Sequence, residues 1–192
     1  MRSRLNKVIL SSILLVASFN ASAAGLWIEP MFGVSVGGNG NVGGSEVDRS
    51  GHRYGGRVGI KHLIPNMVLG LDYRMGKVKH EVDAGSTLKE LNAKHMGTFL
   101  SYTGVPLLHF WGTWFFDYKD EIADGLLKGS YFKGSGWNLG MGYSLLPFLN
   151  LNVEYSKSKH DEWEFANGSV VPLLEEIEAT EFIVGISIPI SL

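Results

Sequence analysis

Apolar and polar residues alternate along eight segments of the chain, and the alternation is cleanest between positions 134 and 145. Trp137, Leu139, Met141, Tyr143 and Leu145 take the odd positions, while Gly134, Gly136, Asn138, Gly140, Gly142 and Ser144 take the even ones. A strand points successive side chains to opposite faces, so this segment predicts a β-strand with one oily, aromatic face and one small, polar face. Seven other segments repeat the pattern. Residues 26–36 put Leu26, Ile28, Phe32 and Val34 on one face. Residues 52–63 place Tyr54, Val58 and Ile60 opposite Arg53, Arg57 and Lys61. Residues 67–82 set Met67, Leu69, Leu71, Tyr73 and Met75 against Gly70, Asp72, Arg74 and Gly76.

The remaining strands read similarly. Residues 91–103 carry Met96, Leu100 and Tyr102 on the apolar face, with Phe99 falling on the polar one. Residues 107–118 present Leu108, Phe110, Trp114, Phe116 and Tyr118. Residues 149–158 present Leu149, Leu151, Val153 and Tyr155. A last strand ends the chain with Phe182, Val184, Ile186, Ile188 and Ile190. Short turns lie near Pro65, Pro106 and Pro147, and long polar loops near Asn41, Gly85, Asp124 and Asn167. Eight alternating strands, with short turns at one end and long loops at the other, predict an antiparallel up-and-down transmembrane β-barrel. Its exterior is apolar, its lumen polar, its short turns periplasmic and its longer loops extracellular. Averaged hydropathy misses such a chain, because every second residue is hidden from lipid.

Simple hairpin registers test the faces. Setting 62 opposite 67 pairs Val58 with Leu71 and Ile60 with Leu69 outside, and Arg57 with Asp72 inside. Setting 103 opposite 107 pairs Leu100 with Phe110 and Met96 with Trp114. Setting 145 opposite 149 pairs Tyr143 with Leu151 and Met141 with Val153. Matched cross-strand pairs stabilise a sheet, and a one-residue slip would reverse both faces. An eight-stranded barrel has room only for packed side chains. Trp111 and Phe115 point inward, and the row Gly134, Gly136, Gly140 and Gly142 leaves space beside them. Arg57, Asp72, Arg74, Glu154 and Glu181 are expected at mid-height in the lumen, with Arg53, Lys61 and Asp117 nearer its ends. Unpaired buried charge is costly, so these residues are expected to form a salt-bridged network that fills the interior.

The N-terminus reads as an export signal over residues 1–23. Arg2, Arg4 and Lys7 precede the apolar run Val8 to Phe19, and Ala21-Ser22-Ala23 is a small-residue cleavage site. The run is too short to span a membrane as a helix, which needs roughly 20 residues. Residues 24–192 are then the barrel domain. Of 17 Lys and Arg, three lie in the signal, so the mature chain is acidic against its 19 Asp and Glu. No basic tract points to nucleic acid. Cysteine is absent, which rules out disulfides and a lipid-modified cysteine. No His, Asp and Glu cluster has ligand spacing, so neither a metal nor a cofactor is expected.

These features resemble the small eight-stranded bacterial outer-membrane barrels of the OmpA/OmpX-like class. In the last strand Gly185, Ile188 and Ile190 resemble the spaced signal that the barrel-assembly machinery reads in that class, although the final residue is Leu192 rather than an aromatic. The resemblance implies a monomer surrounded by outer-membrane lipid and lipopolysaccharide, delivered by periplasmic chaperones and that machinery. Pro30 and Pro189 fall where the first and last strands close the barrel, and each removes a ladder hydrogen bond. Either regular pairing begins above them, or they weaken the seam enough to admit a lipid tail.

Two functions remain in view. A non-enzymatic barrel would act structurally or through its loops, in which Glu46, Asp48, Arg49, Asp120, Glu121, Asp124, Asp161, Glu162, Trp163, Glu164 and Phe165 are the candidate contacts. An enzyme modifying lipid A, a deacylase or acyltransferase, would need nucleophile, base and orienting group to converge. His95, His109 and His160, with Ser101, Ser156 and Asp161, are the residues available, and Ser101 could face His109 across the turn near Pro106. A narrow channel is a lesser alternative. So is a soluble periplasmic lipocalin-like barrel, which would invert the faces and put the apolar residues inside.

Overall fold

The structure, a computed structural model, describes residues 25–42, 45–82, 86–124 and 127–192. The expected signal (1–23) and the Gly85 loop tip lie outside these residues. Eight long strands follow one another: β1 (Leu26–Val42), β2 (Ser45–Lys61), β3 (Met67–Val82), β4 (Ser86–Val105), β5 (Leu108–Ile122), β6 (Tyr131–Leu146), β7 (Leu149–Glu164) and β8 (Val170–Ser187). A two-residue β9 (Ile190–Ser191) ends the chain. Each strand pairs antiparallel with its neighbours in sequence, and β8 pairs with β1 to close the ring. No helix occurs among the described residues.

Closure removes every sheet edge, which lets a sheet sit in lipid with its backbone polar groups satisfied. The faces follow the alternation. Leu71, Trp114, Leu139 and Val153 are at least half exposed, whereas Arg57, Asp72, Trp111, Asn138 and Glu154 on the intervening positions are buried. A lipocalin-like inversion is thereby excluded. The turn registers hold for β2–β3, where Val58 faces Leu71 and Arg57 faces Asp72, and for β6–β7, where Tyr143 faces Leu151.

Several boundaries and one register differ from the sequence reading. β1 and β2 run through most of the expected Gly37–Gly51 loop, β5 through much of the expected loop after Tyr118, and β7 up to Glu164. The extensions of β2, β5 and β7 alternate too, with charged residues such as Asp48, Lys119 and Lys159 on the outward face, while that of β1 is built of glycine and asparagine. Between β4 and β5 the register is shifted by two, with Tyr102 opposite Phe110 and Thr98 opposite Trp114. The cause is a longer turn, in which Pro106 is followed by Leu107 at a positive φ of 62°. A bulge between Phe115 and Tyr118 then reverses the face of β5. Tyr118 is consequently buried inside, not turned to lipid, while Asp117 points out to Lys119 at 3.1 Å and does not reach the lumen.

The seam also differs from both alternatives. Regular β1–β8 pairing starts at Met31 opposite Ser187. Below the prolines it resumes through β9, with Ile28 opposite Ile190. The Leu192 amide donates to the Leu26 carbonyl at 2.9 Å, and the Ile188 amide donates to the Pro30 carbonyl at 3.0 Å. The ladder is interrupted at Pro189 and closed on either side of it.

Candidate functional site

Inward-facing residues stack in layers along the barrel axis. At the short-turn end Trp27, Phe99 and Val68 form a buried apolar cluster, with the Trp27 and Phe99 ring centroids 5.5 Å apart. This explains Phe99, whose place on the polar face breaks the alternation of β4: it plugs the lumen.

Above it lies a charged layer. The Arg57 guanidinium donates through Nε to Asp72 Oδ2 at 3.2 Å, through Nη1 to Glu29 Oε2 at 3.1 Å and through Nη2 to Glu154 Oε1 at 3.4 Å. Its other side is covered by the Trp111 ring, with Cζ 4.0 Å from the centroid. Arg74 holds Asp72 with Nε at 2.9 Å and Nη2 at 2.8 Å, and reaches Glu154 through Nη1 at 2.5 Å. Thr113 donates to Asp72 and Asn138 donates to Glu154. Glu29 additionally accepts from Ser187 Oγ at 2.6 Å and Asn150 Nδ2 at 3.3 Å. The ladder geometry makes this possible, because the contributors sit at inward positions of β1, β2, β3, β5, β6, β7 and β8, with Asp72 and Arg74 sharing β3 and Asn150 and Glu154 sharing β7. Gly140 supplies the room, since a Cβ there would overlap the Trp111 indole.

A second charged layer is nearer the opposite end. Glu181 binds Arg49 at 3.1 Å and is in close contact with Arg53. Asp120 receives Arg49 at 2.9 Å and His95 Nε2 at 3.2 Å, and His160 Nε2 lies 3.3 Å away. Tyr118 stacks on His95 at 3.4 Å between centroids. Beyond this layer Val47, Val78, Leu91, Ala93, Ile122 and Ala179 are buried and apolar, which closes the interior again.

Of the lumen residues read from sequence, Arg57, Asp72, Arg74 and Glu154 meet in one cluster, while Glu181 belongs to the other. Arg49 and Asp120, expected in loops, are buried in the lumen. Their inward phase was hidden by the assumption that strands stop where apolar outward residues stop. Glu29 was also missed, because its neighbour Pro30 obscured the alternation of β1.

Asp48, Asp124, Asp161 and Glu162 are exposed, and Glu121 and Glu164 pair with Lys94 and Lys133 on the outer wall. Trp163 packs against Phe132 and stacks on Phe165 at 5.0 Å. The Glu46 side chain lies outside those described. Outward ion pairs form a collar beyond the apolar band: Lys77–Glu90, Lys94–Glu121, Lys133–Glu164, Lys157–Glu178 and Lys159–Glu176. The hydrogen bond from Lys159 to Glu176 raises the pKa of the exposed Lys159 ammonium.

The catalytic candidates do not converge. Ser101 faces Trp111, and His109 faces Gly142, so the expected pair across the turn is absent because of the register shift. His95 and His160 meet at Asp120, where no serine hydroxyl joins them among the described residues. Ser156 lies in the row of Asn138 and Glu181.

No family model and no curated protein matches the chain. Solved structures do resemble it. Neisserial surface protein A aligns with a TM-score of 0.51 and 10% identity, covering 85% of this chain and 96% of that one. Ail, the attachment invasion locus protein of Yersinia pestis, solved in complex with the heparin analogue sucrose octasulfate, aligns with a TM-score of 0.51 and 8% identity. That alignment covers 87% of this chain and 99% of Ail. The fold is that of the small eight-stranded outer-membrane barrels, and the lipid-facing band is the exterior such a location requires.

Proposed function

We propose that this protein is a non-conducting, non-enzymatic outer-membrane barrel whose work is done at its extracellular end. The observation that carries the reading is Arg57. Its guanidinium lies in the lumen and touches carboxylates from β1, β3 and β7, while Trp111 of β5 covers its face. A barrel of eight strands is only wide enough to be filled by side chains, and here the filling is two ionic layers between two apolar ones. Ions crossing it would have to break several buried pairs at once.

The outward surface divides accordingly. The apolar band is the contact with outer-membrane lipid and lipopolysaccharide. The collar and the β7–β8 hairpin, with Asp161, Glu162, Trp163 and Phe165, form the surface offered to an extracellular ligand. Half-buried aromatic residues beside exposed charges, carried on a rigid scaffold, suit recognition. The test is reconstitution of the folded protein into planar bilayers with current recorded under applied voltage. Silence is the expected result; discrete conductance steps would overturn the reading.

A further inference from the structure

Exposed carboxylates gather at one end of the barrel, where Asp48, Asp161, Glu162, Glu176 and Glu178 face solvent. The short-turn end is different. Residues 59–69, 100–110, 142–153 and 182–192 contain no Asp or Glu, and Lys61 is the one Lys or Arg among them. The turns themselves are apolar at the surface, with Ile64, Leu107, Leu146 and Phe148 all exposed. An acidic chain thus presents an acid-free, largely apolar rim with a single ammonium group.

Inside that rim the end of the lumen is a cavity of about 390 Å³. This is within the range of small-molecule sites, roughly 300–1,000 Å³. Buried Trp27 and His109 line it deepest, Lys61 and Asn66 line it beside the β2–β3 turn, and residues 105–108 line it as an apolar stretch of the next turn. No acidic residue is among its described lining. Its hydroxyl protons are already used: Thr103 Oγ1 donates to the Asn66 carbonyl at 3.2 Å, and Ser144 Oγ donates to Asn150 Oδ1 at 2.9 Å. The Lys61 ammonium donates to Ser191 Oγ at 2.6 Å, which engages one of its three protons. Two ammonium protons and the Asn66 side-chain amide are therefore left for a guest. Glu29, the carboxylate nearest this end, is buried and already bound by Arg57, so its charge is matched.

We propose that this mouth binds one short aliphatic carboxylate, with its charged end on the Lys61 ammonium and the Asn66 amide and its chain against residues 105–108 and the Trp27 indole. The charge selects the class. A single ammonium matches a single carboxylate, whereas a phosphate ester brings more charge and more acceptor oxygens than these donors satisfy. A cationic amphiphile would meet Lys61 with like charge. The apolar lining selects an aliphatic chain over a purely polar anion. The site is separate from the extracellular surface proposed above, since it lies at the other end of the barrel. It is a binding site and not an entrance, because Trp27, Phe99 and Val68 close the lumen beyond it.

The test uses the folded protein in nanodiscs of zwitterionic lipid at neutral pH. Nitrogen-15 spectra are recorded during titration with hexanoate, hexylammonium, hexanol and acetate. The expected result is a saturable shift of the Trp27 indole and of the Lys61 and Asn66 amides with hexanoate. Hexylammonium and hexanol carry the same chain without the anion and should bind about tenfold more weakly or worse, the worth of one charge-assisted hydrogen bond. Acetate keeps the anion without the chain and should also bind weakly. Lys61→Met should weaken hexanoate by a similar factor, and Lys61→Arg should retain it. The spectra of both variants report whether the barrel is intact. Absence of a saturable shift with hexanoate would overturn the proposal. So would equal affinity for hexanol, which would mark simple partition into lipid, or unchanged hexanoate affinity in Lys61→Met.

Discussion

Replacing Arg57 with Met removes the guanidinium while keeping most of its aliphatic stem, so the loss is electrostatic rather than steric. In the structure this group makes salt bridges of 3.1, 3.2 and 3.4 Å with three carboxylates, and it is fully buried. The three losses are unequal. Asp72 and Glu154 keep Arg74, whereas Glu29 keeps only the neutral donors Ser187 and Asn150. Breaking a buried pair by removing one partner costs about 3–5 kcal/mol. The contact with Trp111 adds about 0.5–2 kcal/mol. The expected loss is therefore roughly 3.5–7 kcal/mol, and most of it reports a stranded Glu29. The assay is urea unfolding in lipid vesicles followed by tryptophan fluorescence. Arg57→Met/Glu29→Gln should recover a large part of the loss, which gives the pair a coupling energy well above additive scatter. A single-variant loss below about 1 kcal/mol, or a double variant no more stable than Arg57→Met, would refute the reasoning.

Gly140→Ala should destabilise by about 1–3 kcal/mol through overpacking against Trp111, and adding Trp111→Leu should restore stability in the same urea assay. Leu139→Arg, in the middle of the apolar band where Leu139 is 58% exposed, should cost about 2–4 kcal/mol in vesicles; a neutral effect would place Leu139 outside lipid. Leu107→Asn should stabilise by about 1 kcal/mol, because Leu107 holds a left-handed backbone that asparagine tolerates better. An unchanged or lower unfolding midpoint would show that the turn carries no such strain.

Much of the architecture was legible because a barrel wall obeys a period of two, and a period survives ignorance of everything else. Val58, Leu71 and Leu139 announced their face one residue at a time, and the tight turn at Pro65 left one register that satisfied both sides. Legibility failed where the rule changed. Past the apolar band the outward residues turn into lysines and glutamates, so the strands seemed to end and Arg49 and Asp120 were read as loop residues. The bulge after Phe115 reversed the phase of β5, and no local signal in Phe116-Asp117-Tyr118 marks it. The β4–β5 register depended on turn geometry around Pro106 and Leu107, which spacing alone does not fix. The ionic clusters were partly readable, since inward charges must find partners, but which carboxylate meets which arginine is decided by strands distant in sequence. Glu29 with Arg57 and Arg49 with Asp120 are such pairs.

The account rests on which way the wall faces, and two tryptophans of one strand measure it directly. Trp114 is 53% exposed on the outer surface, while Trp111 lies buried against Arg57. Variants retaining a single tryptophan at either position, folded into vesicles of lipid brominated along its acyl chains, should differ sharply in fluorescence. Strong quenching of Trp114 with Trp111 unaffected is the expected result. Quenching of Trp111 equal to or greater than that of Trp114 would contradict the account.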